Sequence, residues 1–191
     1  MQAIIDACND GRIDGEVVLV VGVKEDAPAL RRADSAGVNT VVLSPKQLGD
    51  DYDDALLAAL REHRINLICL AGYMRVLGRQ IVDEFRNRIL NIHPALIPAF
   101  CGSGMYGHHV HEAAIARGVK FSGCTVHFVD EDYDTGPIVL QSIVPVEDDD
   151  TPETLASRIL PEEHKSYVRA IRLFAQGRLS VEGRKVRIRP E

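Results

Sequence analysis

The stretch Ile89-Leu90-Asn91-Ile92-His93-Pro94 is an apolar run that ends in polar residues and a proline. A short apolar run of this kind predicts a buried strand, which we place at residues 88–92. Asn91 and His93 are then expected at the carboxyl end of that strand, and Pro94, which lacks a backbone N–H, ends it. In open α/β sheets, ligands bind at the carboxyl ends of the strands. The stretch therefore predicts a ligand site as well as a strand.

The segments before this strand alternate between strand and helix patterns. Strands are predicted at residues 16–22, 39–43, 66–71 and 88–92, and helices at residues 1–9, 27–36, 51–63 and 79–85. Such alternation at short spacing predicts an α/β fold, in which a Rossmann-like, mostly parallel sheet carries helices on both faces.

The second half of the chain has a different pattern. Two long extended segments, residues 120–129 and 138–146, are expected to pair with each other. Thr151 as N-cap, with Pro152 at the first helical position, starts a helix that either continues to about residue 176 or breaks at Pro161. A terminal hairpin is expected at residues 179–188, with the basic stretch 184–189 as a solvated edge strand. No linker or repeat interrupts the pattern, so residues 1–191 are expected to form a single domain.

The composition limits the class of protein. A chain of 191 residues that is 46% hydrophobic and 26% charged fits one globular domain. Its net charge of −6 argues against binding to nucleic acid. The apolar runs are shorter than the roughly 18 residues of a membrane span, and no signal-peptide pattern is visible. The four cysteines form no C-x-x-C pair, so we expect free thiols and a cytoplasmic location.

Three polar residues, Asn91, His93 and Asp134, are of the types that acyl transfer requires. An amide N–H stabilises a developing oxyanion, an imidazole carries a proton near neutral pH, and a carboxylate orients the imidazole and raises its pKa. Taken singly, each residue has an ordinary interpretation, as a histidine bonded to backbone carbonyls or as an Asn or Asp in a turn. Only their combination, together with the family resemblance of the motifs around them, indicates catalysis.

Three motifs together resemble a known family. They are Asn91-x-His93-Pro94-x-Leu96-Ile97-Pro98, Cys124-Thr125-Val126-His127-Phe128-Val129 and Asp134-Thr135-Gly136-Pro137-Ile138. The chain resembles the formyltransferase domain of phosphoribosylglycinamide formyltransferases, within the folate-dependent formyl-transfer superfamily. The resemblance extends from Gln2 to about Gly183, and it implies the formyltransferase fold.

This resemblance implies transfer of a formyl group from the co-substrate 10-formyltetrahydrofolate to the amine of glycinamide ribonucleotide, in purine biosynthesis. It implies catalysis by Asn91, His93 and Asp134, in which Asp134 keeps His93 protonated. The residues expected to bind the folate are Met74, Arg75, Val76, Leu77, Asn91, Asp130 and Asp134. Glu163 is expected to reach the amine or ribose of the acceptor. No metal is expected, the partners are small molecules, and the chain is a monomer or a homodimer.

Two groups of histidines allow more than one interpretation. His108, His109 and His111 are close enough in sequence to suggest a metal site, but no carboxylate or thiolate completes the ligand set. We therefore expect solvent-facing or substrate-loop histidines. His127, between Val126 and Phe128 on a predicted strand, either lies at the edge of the core or lines the site. The nearby Gly102-Ser103-Gly104 lies in a loop and receives little weight as a phosphate-binding motif.

Other members of the superfamily remain alternatives. A formyltetrahydrofolate deformylase would carry an added N-terminal domain and a second histidine where this chain has Pro94, and a methionyl-tRNA formyltransferase would carry an added basic C-terminal domain. A folate-binding protein without turnover is a third alternative. In the resembling family, a strand and a Gly-Ser-Gly-Ser-Asn loop precede the helix that here begins at Met1. Neither is visible in this sequence, so we expect weak binding of glycinamide ribonucleotide and a better preserved folate pocket.

Overall fold

The computed structural model describes residues 1–190. Its helices are α1 (Gln2–Asn9), α2 (Pro28–Ser35), α3 (Pro45–Leu48), α4 (Tyr52–Glu62), α5 (Arg79–Glu84), α6 (His108–Arg117) and α7 (Pro152–Ala175). Its strands are β1 (Leu19–Gly22), β2 (Asn39–Val42), β3 (Ile68–Leu70), β4 (Ile89–His93), β5 (Phe121–Phe128), β6 (Ile138–Pro145), β7 (Leu179–Glu182) and β8 (Lys185–Ile188). No helix within residues 1–190 is both long enough and apolar enough to cross a bilayer.

The strands form two sheets. A six-stranded sheet has the order β3-β4-β5-β6-β8-β7, and β1 pairs with β2 in a separate two-stranded sheet. The pairs β1–β2, β3–β4 and β6–β8 are parallel, and the other pairs are antiparallel. Within residues 1–190 no strand lies between β1 and β3. The predicted α/β class is confirmed, as is the antiparallel pairing of the two long segments, β5 and β6.

Helices cover both faces of the large sheet because β4 is apolar on both faces. Leu90 packs in a core cluster with Ile4 of α1 and Ile171 of α7. Its neighbour Ile89 packs in another cluster with residues of α4 and α5. Successive side chains of a strand point to opposite faces, so the two adjacent apolar residues face opposite layers. This arrangement holds β4, with its polar end, in the middle of the protein.

Helix α7 begins as the sequence predicts and does not break at Pro161. Thr151 accepts a hydrogen bond from the Thr154 backbone N–H, and the Thr154 side chain accepts one from the Thr151 backbone N–H. The helix continues through Pro161, which lies on its exposed side. Water can bind the carbonyl that proline leaves without a partner there. The uninterrupted helix brings Glu163 and Tyr167 to the end of β4.

Two predictions about strands need correction. β1 begins at Leu19 and not at residue 16, because its ladder with β2 begins where Leu19 lies opposite Asn39. The terminal hairpin is present, but β8 is not an edge strand, since it lies between β6 and β7. The parallel contact of β8 with β6 at Ile138 and Lys185 places β7 at the edge instead.

Candidate active site

The carboxyl end of β4 presents two polar side chains on one face. Asn91 and His93 are two residues apart and therefore point to the same side of the sheet. Across the antiparallel pair, Asn91 lies opposite His127 and His93 lies opposite Thr125 of β5. His93 is only 3% exposed. The strand thus delivers an amide and an imidazole to a nearly enclosed position.

His127 belongs to this site and not only to the edge of the core. Its Nδ1 lies 2.8 Å from the Phe128 carbonyl oxygen, which can only accept, so Nδ1 carries the proton. Its Nε2 is then free to accept a hydrogen bond from Asn91 Nδ2, which can only donate, at 3.2 Å. His127 therefore fixes the orientation of the Asn91 amide. The sequence placed His127 on one side of β5, but the register that sets it opposite Asn91 was not visible.

Asp134 reaches the same place from a loop. Its backbone has a φ of +55°, a left-handed conformation that Asp tolerates better than most residues. Its Oδ1 lies 3.4 Å from Asn91 Nδ2, and its Oδ2 lies 3.5 Å from His93 Nδ1. The structure therefore brings together the three residues that the sequence predicted as a catalytic set.

Two glycines hold Asp134 in position. The Gly102 N–H donates to Asp134 Oδ2 at 3.0 Å, a contact that the sequence did not reveal. At Gly136, a Cβ atom would overlap the Phe128 carbonyl oxygen, so only glycine lets this loop lie against the end of β5. Burial alone would raise the pKa of Asp134, but polar interactions in the site, among them the hydrogen bond from the Gly102 N–H, outweigh it and lower the pKa below its usual value. Asp134 is thus ionised at neutral pH.

His93 is neutral in this environment. Burial lowers the pKa of His93, while Asp134 and the Phe100 carbonyl raise it by smaller amounts. Asp134 acts in the predicted direction, but the expectation that it keeps His93 protonated is wrong, because the loss of hydration outweighs the nearby charge. His93 Nε2 lies 2.8 Å from the Phe100 carbonyl oxygen, so the proton of the neutral ring resides on Nε2.

A cavity of about 480 Å³ opens at this end of the sheet. Asn91, His93 and Asp134 line it, and the other lining residues come either from helices, here called the helical wall, or from loops, here called the loop wall. Residues of the helical wall are Ile4 of α1, His111 of α6, and Leu160, Glu163 and Tyr167 of α7; residues of the loop wall are Tyr73, Met74, Gly104, Tyr106 and Tyr133. The volume lies in the usual range for small-molecule sites, roughly 300–1,000 Å³.

Glu163 lies in the helical wall as a half-buried carboxyl group. Burial raises the pKa of Glu163 to about 7. Leu160 and Tyr167 line the same wall, and Tyr167 uses its hydroxyl to donate to the Leu70 and Leu90 carbonyls, at 2.8 and 2.9 Å. Tyr167 therefore ties α7 to β3 and β4 and fixes where Glu163 enters the cavity.

Four residues predicted to bind the folate do not place their side chains in the cavity wall. The Arg75 guanidinium lies over the Tyr52 ring, 5.1 Å from its centroid. Val76 is exposed, whereas Leu77 is buried in the core cluster of α4 and α5, because a large apolar side chain at this turn packs inward. Asp130 accepts a hydrogen bond from Thr135 Oγ1 at 2.5 Å within its own loop. Met74 alone of its loop segment, residues 74–77, lines the cavity.

The three clustered histidines separate into two kinds. His108 Nε2 lies 3.2 Å from Glu112 Oε1, and His109 Nδ1 lies 3.2 Å from Glu112 Oε2, all on the surface. His111, by contrast, is 5% exposed. Its Nδ1 is shielded from solvent and has no hydrogen-bond partner among the described residues.

Sequence comparison identifies the family. The profile of the Formyl transferase family matches residues 1–171. The chain belongs to this family. The predicted resemblance is thereby confirmed, and Asn91, His93 and Asp134 lie together in the cavity of a formyl transferase domain.

Individual relatives within the formyl transferase family agree. The chain is 43% identical over 182 residues to the chloroplastic phosphoribosylglycinamide formyltransferase of Arabidopsis thaliana, covering 93% of this chain and 62% of the relative. It is 40% identical over 183 residues to the trifunctional purine biosynthetic protein adenosine-3 of Gallus gallus, covering 95% of this chain and 18% of the relative. The chain thus spans less than two thirds of the length of either curated relative.

A solved structure of a similar protein has the same fold as this chain. Glycinamide ribonucleotide transformylase 1 from Symbiobacterium toebii superimposes on this formyl transferase domain with a TM-score of 0.93 and 48% sequence identity. The match covers 99% of this chain and 88% of the other. The α/β arrangement described above is therefore that of the family.

Proposed function

We propose that the protein transfers the formyl group of 10-formyltetrahydrofolate to the amine of glycinamide ribonucleotide, a step of purine biosynthesis. The observation that carries the proposal is the convergence of Asn91, His93 and Asp134 in one cavity at the end of β4. The printed names of the relatives, which include phosphoribosylglycinamide formyltransferase and glycinamide ribonucleotide transformylase, support the same substrates.

The first step is attack of the acceptor amine on the formyl carbon. A C–N bond forms, and the electron pair of the carbonyl double bond moves onto oxygen. Asn91 Nδ2 donates to this oxyanion; its contact with Asp134 is long at 3.4 Å and is readily exchanged for a better acceptor. His93 donates through Nε2–H once that proton leaves the Phe100 carbonyl. A neutral imidazole suffices for this role, and one such donor contributes roughly 3–4 kcal/mol.

The second step is proton transfer and departure of tetrahydrofolate. Asp134 is ionised, so it can accept the proton that the amine loses, through a water molecule. It returns the proton to N10 of the folate as the bond between N10 and the formyl carbon breaks. The products are tetrahydrofolate and formylglycinamide ribonucleotide, with no net change in protons. Proton transfer of this kind contributes about 10²–10⁴-fold to the rate.

The two walls of the cavity suit the two substrates. The loop wall carries Tyr73 and Met74, whose apolar surfaces fit the flat pterin ring of the folate. Arg75, Val76, Leu77 and Asp130 place no side chain in the cavity lining. The helical wall carries Glu163, whose carboxyl group fits the amine or ribose hydroxyls of the acceptor. Asn91, His93 and Asp134 line the same cavity, where the transfer takes place.

The proposal extends to the protein's setting. Cys8, Cys69, Cys101 and Cys124 are all free thiols, which supports a reducing compartment such as the cytoplasm. The partners are then small molecules, with neither nucleic acid nor membrane, and the chain acts as a monomer or a homodimer.

The test is a product assay with 10-formyltetrahydrofolate, with and without glycinamide ribonucleotide. We expect formylglycinamide ribonucleotide and tetrahydrofolate in equal amounts, and little formate. Formate released at the same rate without the acceptor would identify a deformylase and overturn the proposal. Binding of tetrahydrofolate without any product would instead identify a folate-binding protein.

A further inference from the structure

His111 is a buried polar residue in the wall of the cavity, and the mechanism above does not use it. It lies at the end of the first turn of α6, between Val110 and Ala114, which are both 0% exposed. Its Nδ1 is shielded and has no partner within residues 1–190. His108 and His109, on the same helix, both pair with Glu112. His111 is thus the one histidine of α6 that faces the interior and the cavity.

An unpaired polar atom at this position is unfavourable for folding. A buried group without a hydrogen bond loses its hydration and gains nothing in return. An apolar side chain would suit the position better, since its neighbours on the buried side of α6 are apolar. The imidazole ring is nevertheless present in the wall of a ligand cavity, where its other nitrogen, Nε2, is not shielded, and this indicates that a ligand group bonds to Nε2.

The chemistry of the site indicates what kind of ligand group binds there. Burial lowers the pKa of His111, so the ring is neutral at physiological pH, with one donor nitrogen and one acceptor nitrogen. Nδ1 is shielded, so Nε2 belongs to the part of the ring that is open to the cavity. Glu163 lines the same wall on α7, which packs against α6. A hydroxyl or amide group of a ligand can both donate and accept a hydrogen bond, and therefore suits His111 and Glu163 together.

We propose that His111 binds the acceptor substrate, through a hydrogen bond from Nε2 to a hydroxyl or amide group of that substrate. His111 lies in the helical wall with Glu163, and not in the loop wall with Tyr73 and Met74, which assigns it to the acceptor and not to the folate. The proposal rests on the proposed function in one respect, because it takes glycinamide ribonucleotide as the acceptor.

Three substitutions of His111 distinguish the contribution of Nε2 to binding from that of Nδ1. His111→Gln places an amide near the position of Nε2, His111→Asn places one near Nδ1, and His111→Leu removes both polar atoms. We expect His111→Leu to weaken binding of glycinamide ribonucleotide about tenfold, as loss of one hydrogen bond does. His111→Gln should restore most of the affinity and His111→Asn should not. The melting temperature of His111→Leu should equal or exceed that of the parent, because an unpaired polar atom is removed.

The measurements are calorimetric binding of glycinamide ribonucleotide, calorimetric binding of tetrahydrofolate, and thermal unfolding. His109→Leu is the matched control, since His109 lies on the exposed side of α6, and it should change neither affinity. Equal affinity of parent and His111→Leu for glycinamide ribonucleotide overturns the proposal. So does a lower melting temperature together with equal weakening of both ligands, which would show a structural role. Intact binding of glycinamide ribonucleotide without formyl transfer by the parent overturns the proposed function alone.

Discussion

The six-stranded sheet and the β1–β2 pair are built from similar sequence and have different surroundings. The apolar runs that contain β1 and β4 both predict buried strands. β4 is paired on both edges and covered on both faces, and Leu90 is 0% exposed. β1 is paired only with β2, whose Val42 is 41% exposed. The small core cluster of this pair contains Val20 of β1 with Leu30 and Ala33 of α2.

The difference shows that an apolar run is fully buried only where neighbours cover both of its edges and both of its faces. The side chains proposed to be catalytic lie at the end of β4, a strand that is paired on both edges and covered on both faces. This position suits catalysis, because donors aimed at a transition state must be held in place beforehand. The β1–β2 pair contributes no residue to the cavity lining. The following predictions test this contrast between the two regions.

The largest expected effect is on stability, from truncation of a strand side chain. Leu90→Ala should lower the free energy of unfolding by about 2–5 kcal/mol, because it leaves a cavity in the main core. Val42→Ala in β2 should lower it by no more than about 0.5 kcal/mol, because the side chain is largely exposed. Urea denaturation of both variants measures the difference. Similar losses would mean that the two sheets are equally well packed.

The next effect is on turnover. Asn91→Ala and His93→Ala should each reduce turnover by about 10²-fold or more, because each removes one donor to the oxyanion. Their melting temperatures should change little, since both residues lie at the end of a strand. Asn39→Ala, at the start of β2, is a matched control that should keep the parent's turnover. Nearly normal turnover in either β4 variant would refute the assignment of that residue.

Glu163 should make stability depend on pH. Its pKa is about 7 in the folded protein against an ordinary value of 4.5, so the folded state holds a proton that the unfolded state releases. Stability is therefore fully present below pH 4.5 and is lost as the pH rises towards 7, by at most about 3 kcal/mol at about 1.4 kcal/mol per pKa unit. Glu163→Gln, which does not ionise, should lack this loss.

The measurement is urea denaturation of the parent and of Glu163→Gln between pH 4 and pH 8. The variant should be the more stable of the two at the alkaline end. Parallel curves over the whole range would show that Glu163 is hydrated in the folded protein. Asp34→Asn is a suitable control, because Asp34 lies at the exposed end of α2 and outside the cavity lining.

The smallest expected effect is a shift in the pKa of His93. Asp134 raises this pKa, so Asp134→Asn should lower it further. The shift is measurable by NMR titration of the His93 ring in the parent and in Asp134→Asn. Turnover should also decrease, because an amide cannot accept the amine proton. An unchanged His93 titration would mean that Asp134 serves only as a turn residue.

The sequence by itself determined the local elements and the chemical types of the site. Apolar periodicity identified β4 and the helices around it, and the capping residues Thr151 and Thr154 identified the start of α7. The order of amide, imidazole and proline at residues 91–94 identified the end of a strand as the site. These features depend on contacts between near neighbours in the chain, and such contacts follow from residue type and spacing.

Only the tertiary structure decided which distant groups meet and how strongly water is excluded. The register of β5 against β4 set His127 opposite Asn91, and the loop held by Gly102 and Gly136 brought Asp134 to both. Burial made His93 neutral despite the nearby carboxylate. The packing of α4 and α5 placed the Leu77 side chain in the core and not in the cavity. It also left His111 without a partner in the cavity wall. Pairing, register and desolvation arise from contacts between segments far apart in sequence, and no local pattern specifies them.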